Sequence, residues 1–230
     1  MMVRPWQVNT ILALNRMNEN AVVIIADVRG SRKMAQDERY EGQLFLKSAI
    51  IQVNEKFSDV IEAPFMITRG DEFQGVLHDM QNAFIAMLEF ERLLFPLQLR
   101  YGIGRGIIHK MGSKIPIEMD GPAFHAANNA LNDVKKKKHF MHCHIDTPAT
   151  DLMINTILSL ICAIKNRWND VAFERYWRYK ELGTFEKVAR LENVSAQAVW
   201  ESMQNMRTLE ILEAEKNLLQ IFKNLDSTPR

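Results

Sequence analysis

Three acidic residues stand where runs of β-preferring residues give out. Asp27 closes AVVIIAD, and Asp71 and Glu72 sit in the middle of FMITRGDEFQGVL, Phe65 to Leu77. Carboxylates are hard oxygen ligands of the kind Mg²⁺ (or Mn²⁺) takes, with waters or phosphate oxygens in the remaining positions. Two such ions can activate an attacking hydroxyl and neutralise a leaving pyrophosphate. The stretch after Asp27, Val28-Arg29-Gly30-Ser31-Arg32, joins a flexible glycine, two guanidinium groups and a hydroxyl ahead of a helical segment. That combination suits a phosphate cradle. The plain alternative is that these carboxylates are solvated caps. Ligation requires the strands ending at Asp27 and at Asp71-Glu72 to lie side by side.

The elements needed for that are legible. AVVIIADVRGS is an unbroken apolar run of the kind found in a central strand covered on both faces. FMITRGDEFQGVL reads as a β-hairpin over roughly 64–78, with Arg69-Gly70-Asp71-Glu72 at its tip. A helix is expected over 39–57, its stripe formed by Leu44, Ile50, Ile51, Val53 and Phe57. A second runs from Met80 to Phe95, stopped at Pro96. LQLRYGIGRGIIH is a strand whose glycines let another backbone approach. A turn and helix cover 120–134, with Pro122 in the first turn. Lys135 to Lys138 then read as a solvated loop, with contact to phosphate as the alternative, before a last short strand. The order predicts an α+β domain over 21–147, a ferredoxin-like mixed sheet covered by helices on one side. A leading helix is expected within 1–20. From 150 to 230 the pattern is helical throughout, with the boundary near Thr147–Thr150.

Within the helical part, residues 184–204 have the pattern of a helix-turn-helix. Thr184 and Ser195 are placed to cap the two helices, and Asn193 to take the left-handed turn conformation. Val188, Ala189, Val194 and Val199 face inward. Ser195, Gln197, Ala198, Glu201 and Gln204 lie along the outer face of the second helix, where Gln can read base edges. Lys187 and Arg190, with Arg175, Arg178 and Lys180, would reach the phosphate backbone. The alternative is a bundle that caps well or contacts protein. The closing helix, Thr208 to Leu225, carries Leu209, Leu212, Leu219 and Phe222 as a dimerising stripe. His142 and His144 share one face of the last strand, with Cys143 on the other. Two histidines alone are a thin ligand set and read as structural.

Four of these motifs resemble, in order, those of class III nucleotidyl cyclases: IIADVRGSR, TRGDEFQGVL, LRYGIGRGII and GPAFHAANNAL. The second is equally similar to the diguanylate cyclase hairpin. The resemblance implies that Asp27 and Asp71 are the two metal aspartates and that Glu72 is the acidic residue of the diguanylate motif. Ile67 stands where adenylyl cyclases have a Lys. His125 and Asn129 stand where they have an Asn and an Arg. The widest resemblance, covering nearly all of the chain after residue 20, is to the SatD family of bacterial proteins. It implies a nucleotidyl-cyclase-like domain followed by a helix-turn-helix, in a regulatory protein that binds nucleotide and Mg²⁺ at one end and DNA or a regulatory partner at the other. An active Mg²⁺-dependent nucleotide-converting enzyme and a non-catalytic interaction scaffold are the alternatives. By analogy with cyclases a homodimer is expected.

Bulk properties fit these readings. Lys plus Arg is 29 and Asp plus Glu 28, so a nucleic-acid contact needs a local patch. The 47% hydrophobic content excludes wholesale disorder. Two cysteines make no disulfide framework, and no cleavage site or membrane-spanning segment is apparent. A cytoplasmic location is expected.

Overall fold

The computed structural model describes residues 18–109, 113–137 and 139–227. The expected leading helix lies outside them, except that residues 18–20 already belong to the first strand, β1 (Asn18–Val28). β1 is the middle of a five-stranded sheet ordered β2-β3-β1-β4-β5. The others are β2 (Ile61–Arg69), β3 (Glu72–Leu77), β4 (Leu99–Ile108) and β5 (Met141–His144). β3 and β4 run antiparallel to β1, β2 antiparallel to β3, and β5 parallel to β4. The first four strands thus follow the ferredoxin-like order, and β5 extends it.

Both faces of β1 are covered, which is why its apolar run is unbroken. Val22, Ile24, Ala26 and Val28 enter the main core with helices α1 (Gln36–Lys56) and α2 (Met80–Leu94). Ala21, Val23 and Ile25 face helix α3 (Pro122–Lys137) on the other side. Helices on one side only were expected, and α3 corrects that. Gly102 and Gly104 of β4 admit it: a Cβ on either would run into the backbone of α3, at Ala127 and Leu131 or at Ala123 and Ala127.

Two stripes differ from expectation. α1 buries Leu46, Ala49, Ile50 and Val53, with Phe57 just beyond it, whereas Leu44 and Ile51 are exposed. The helix is apolar on more than one side, so periodicity alone does not say which side meets the sheet. Lys135 to Lys137 are no loop but the last turn of α3, where cations are favoured by the helix dipole.

After β5 come α4 (Pro148–Lys165), α5 (Asp170–Leu182), α6 (Phe185–Glu192), α7 (Ala196–Asn205) and α8 (Thr208–Ser227). Among the described residues α4 alone has the length and apolarity to cross a membrane. Ile154, Leu158 and Ile161 on it are buried in the core shared with the sheet. The apolar side of α8, expected as a dimer stripe, is used inside the chain. Leu218 and Phe222 are buried, and Phe222 meets Phe84 of α2 with ring centroids 5.4 Å apart. Asp226 near its end accepts from the N–H groups of Met80 and Gln81, both at 3.1 Å, capping α2.

A charged cluster lies between the helices, with Glu215 and Lys165 buried at its centre. Glu215 of α8 pairs with Lys165 at 2.9 Å and Lys180 at 3.0 Å, and accepts from the Tyr176 hydroxyl. Lys165 also reaches Glu91 at 2.8 Å. Burial alone would push the Glu215 carboxyl up, but Lys165, Lys180 and the Tyr176 hydroxyl hold it below the usual range. Burial would push Lys165 down, but Glu91 and Glu215 hold it above its ordinary value.

Candidate functional site

Asp27 is the last α3-facing residue of β1, and cross-strand register puts Arg100 directly opposite it on β4. The guanidinium clamps the carboxylate at both oxygens, Nε to Oδ1 at 2.7 Å and an Nη to Oδ2 at 2.9 Å. This bidentate pairing is stronger than a single neutral bond. The end of α3 adds Lys135, whose Nζ lies 3.1 Å from Asp27 Oδ2 and 3.6 Å from Glu72 Oε2. Asp71, at the turn between β2 and β3, accepts from the Val28 N–H at 3.1 Å. The hairpin is therefore tied to the end of β1. Gly70 at its tip has φ +64, which glycine adopts without strain. Lys135 thus links Asp27 to Glu72, and Asp71 joins the same edge of the sheet through the Val28 N–H.

The loop after Asp27 is ordered by its own contacts. Val28 is buried within β1. Arg29 donates to the Gln98 side chain at 2.8 Å and lies over the Phe140 ring, 4.7 Å from its centre. Gly30 is left-handed, and Ser31 and Arg32 begin a short 3-10 turn. The carbonyls of Ser31 and Arg32 accept from Arg39 at 3.2 and 3.3 Å. The Arg29 guanidinium is thus turned toward Gln98 and Phe140, just ahead of β5, and not toward Asp27. His125 and Asn129 are exposed on α3, with His125 3.5 Å from Asp120.

Sequence reasoning missed Arg100 as a site residue, and missed Lys135 as the partner of Asp27 and Glu72. Arg100 carries a signal in hindsight, since it leads a strand that must pair with the one ending at Asp27. Lys135 belongs to a lysine run that suggests phosphate contact only as an alternative to a loop, and nothing in the run itself singles it out. Together they place two positive charges beside Asp27, although Asn129 supplies none.

In the helical part, Thr184 and Ser195 accept from the N–H groups of Lys187 and Ala198 at 3.3 and 3.1 Å. Asn193 between α6 and α7 is left-handed, φ 55 and ψ 45. Val188, Ala189, Val199 and Met203 form a small core. Val194 was expected to pack inward but is exposed, because its place at the turn leaves only its N–H, bonded to Ala189, facing the pair. Gln197 and Glu201 bond each other at 2.8 Å along the surface of α7. Ser195, Ala198, Lys187 and Arg190 are exposed, and Gln204 is half-buried. Arg175 and Arg178 are held by Glu192 at 2.7 and 2.9 Å, and Lys180 by Glu215. Of the five cations expected to reach phosphate, Lys187 and Arg190 are the exposed pair on α6.

Fold and edge together define an α+β protein with a helical C-terminal part and an acid-and-cation cluster at its strand ends. The model of the SatD family matches residues 21–208, and the chain belongs to the SatD family. Comparison with curated proteins gave no match. Among solved structures, a bacterial light-regulated adenylyl cyclase is similar at 14% identity, over 56% of this chain and 76% of that one, with a TM-score of 0.43. The catalytic core of a rhodopsin-guanylyl cyclase with converted specificity, in complex with ATPαS, is 14% identical over 56% and 78%, with a TM-score of 0.40. The monomeric guanylyl cyclase domain of a fusion protein from the aquatic fungus Blastocladiella emersonii is 13% identical over 57% and 83%, with a TM-score of 0.40.

Proposed function

We propose that this chain is a cytoplasmic bacterial regulatory protein. A nucleoside triphosphate with Mg²⁺ binds its nucleotidyl-cyclase-like part, at Asp27, Asp71 and Glu72. The observation that carries the reading is the single edge where the Asp27 carboxylate, the hairpin tip and Lys135 converge. The carboxylate oxygens of Asp27, Asp71 and Glu72 are of the kind that would hold Mg²⁺, which would neutralise phosphate charge there. Arg100 and Lys135, now paired with Asp27, would serve as phosphate contacts if a triphosphate took their place beside the carboxylate. Arg32 would flank the same ligand. Helices α6 and α7, read as a helix-turn-helix, would take DNA or a regulatory partner along Ser195, Gln197, Ala198, Glu201 and Gln204, with Lys187 and Arg190 on the backbone. Residues 21–147 and 150–230 are then the sensing and output parts, in a protein that works as a homodimer.

The test uses the full chain. MgATP or MgGTP should raise the melting temperature, and neither the nucleotide nor Mg²⁺ alone should do so as strongly. Asp27→Asn and Asp71→Asn should each abolish the rise while the apo protein still melts cooperatively. No rise with any nucleoside triphosphate, or a rise that both variants keep, overturns the nucleotide reading. Pyrophosphate release in the same tubes would make the chain an enzyme rather than a sensor. Retention of labelled DNA should fall with Lys187→Ala and Arg190→Ala; unchanged retention removes the helix-turn-helix role.

A further inference from the structure

The outer edge of the sheet carries a second polar cluster, two strands away from Asp27. β5 is an edge strand, and its free side is closed by α4. Asn155 accepts from the Cys143 N–H at 2.7 Å and donates back to the Cys143 carbonyl at 2.8 Å, as a neighbouring strand would. Asp151 accepts from the N–H groups of Ile145 and Asp146, both at 3.0 Å. The backbone that presents His142 and His144 is therefore fixed from both ends. Pleating puts Cys143 in the main core and both imidazoles on the face covered by α3. There they meet Asp133 of α3. Its Oδ2 lies 3.7 Å from His142 Nε2 and 3.4 Å from His144 Nε2, and one ligand atom from each of the three falls within 4.8 Å of the others.

Bonds to zinc of about 2.0–2.2 Å in a tetrahedral array set neighbouring ligand atoms about 3.3–3.5 Å apart. The two measured separations are already close to that. The remaining imidazole nitrogen of His144, Nδ1, lies 3.7 Å from Asp151 Oδ2. A carboxylate behind a ligating histidine fixes its tautomer and raises its basicity. His142 is nearly buried, whereas Asp133 and the His144 side chain are about one-third exposed, which gives an ion a way in. Two imidazoles and one carboxylate are a borderline donor set, suited to zinc, cobalt, nickel or copper and unsuited to Mg²⁺.

We propose that Asp133, His142 and His144 form a binding site for a divalent transition-metal ion of the zinc class, with the fourth position left to water or an outside ligand. Asp151 is its positioning residue. The ion ties together three separate elements: the end of α3, the edge strand β5 and, through Asp151, the start of α4. Its donor set differs from the all-oxygen edge at Asp27, and the proposal does not depend on nucleotide binding there.

The experiment uses the full chain without a histidine tag, stripped with chelator and titrated with Co²⁺ and then Zn²⁺. A visible absorption band of tetrahedral intensity should saturate at one equivalent of Co²⁺ and be displaced by Zn²⁺. Zn²⁺ should raise the melting temperature, and Mg²⁺ should not reproduce that rise through this site. His144→Ala and Asp133→Asn, both at partly exposed positions, should each weaken Co²⁺ binding by at least about 100-fold with the circular dichroism spectrum unchanged. Asp151→Asn, which keeps an oxygen for the Ile145 and Asp146 N–H groups, should weaken it by about 10–100-fold. Cys143→Ser and Cys162→Ser should leave the band in place. No stoichiometric uptake overturns the assignment. So does a band that survives His144→Ala with Asp133→Asn, or one that disappears with either cysteine.

Discussion

Asp27 and Glu215 are each a carboxylate held by two cations, yet one sits at the open end of a strand and the other between helices. The Asp27 side chain is itself only 9% exposed, but its two partners reach toward solvent, the Arg100 side chain being 24% exposed and that of Lys135 35%. Around Glu215, itself 3% exposed, the Lys165 side chain is 11% exposed and that of Lys180 28%. Aromatic rings flank both cations, with Lys165 4.9 Å from the centre of Tyr176 and Lys180 4.9 Å from that of Trp177. Charges that are open to water can exchange their partners for a ligand at little cost. Buried charges such as Glu215 and Lys165 have little water to turn to, and separating them leaves a poorly solvated ion. The same residue types therefore make a site at one place and a joint between α4, α5 and α8 at the other.

The largest expected effect comes from breaking the cluster around Glu215. Glu215→Ala leaves Lys180 without its carboxylate and Lys165 with Glu91 alone, and should destabilise the chain by about 3–5 kcal/mol in urea unfolding. The pH dependence follows from the two shifts. The folded Glu215 carboxyl lies below its unfolded value, so its contribution is present above about pH 4.3 and is lost as pH falls through the lower folded value. Lys165 lies above its unfolded value, so its contribution is present below about pH 10.4 and is lost as pH rises through the higher folded value. Urea melts at stepped pH should show a plateau between these limits. Glu215→Ala should flatten the acid side of the curve. An unchanged acid side would mean that Glu215 is not the group responsible.

Next in size is Gly104→Ala. The added methyl meets the Ala123 carbonyl, the Ala127 amide and Ala126, so α3 must shift outward. Overpacking of this kind costs about 1–3 kcal/mol. It also moves the helix that carries Lys135. The variant should therefore lose stability and weaken any nucleotide-induced rise in melting temperature together. A stable variant with wild-type response would show that α3 is not what sets the edge.

What the sequence disclosed follows the range of the interactions. The strand ending at Asp27, the hairpin with Gly70 at its tip, and the caps at Thr184 and Ser195 depend on neighbours a few residues away. Their residue types carry the signal directly. Arg100 as the partner of Asp27 depends on strand register, 73 residues along the chain. Lys135 depends on α3 continuing to Lys137, one turn beyond where its apolar periodicity ends. Glu215 was invisible for the same reason on a larger scale: an acidic residue in an amphipathic helix reads as solvated until the helices opposite are known to present Lys165 and Lys180. The pair His142 and His144 was visible, but Asp133 enters only when α3 is laid across β5.

The smallest expected effect on stability is the one that most sharpens the contrast. Lys135→Ala removes an ammonium that bridges Asp27 and Glu72, yet Asp27 keeps both bonds from Arg100, and Glu72 is already partly hydrated. Pairs this exposed contribute about 0.2–1 kcal/mol, and salt screens them further. Urea unfolding of Lys135→Ala should thus move by less than about 1 kcal/mol. Under the proposed function, the melting-temperature rise given by MgATP should shrink well beyond that, because the lysine is then a phosphate contact rather than a strut. A loss of stability as large as that of Glu215→Ala would place Lys135 among the structural charges and erase the distinction between the two clusters.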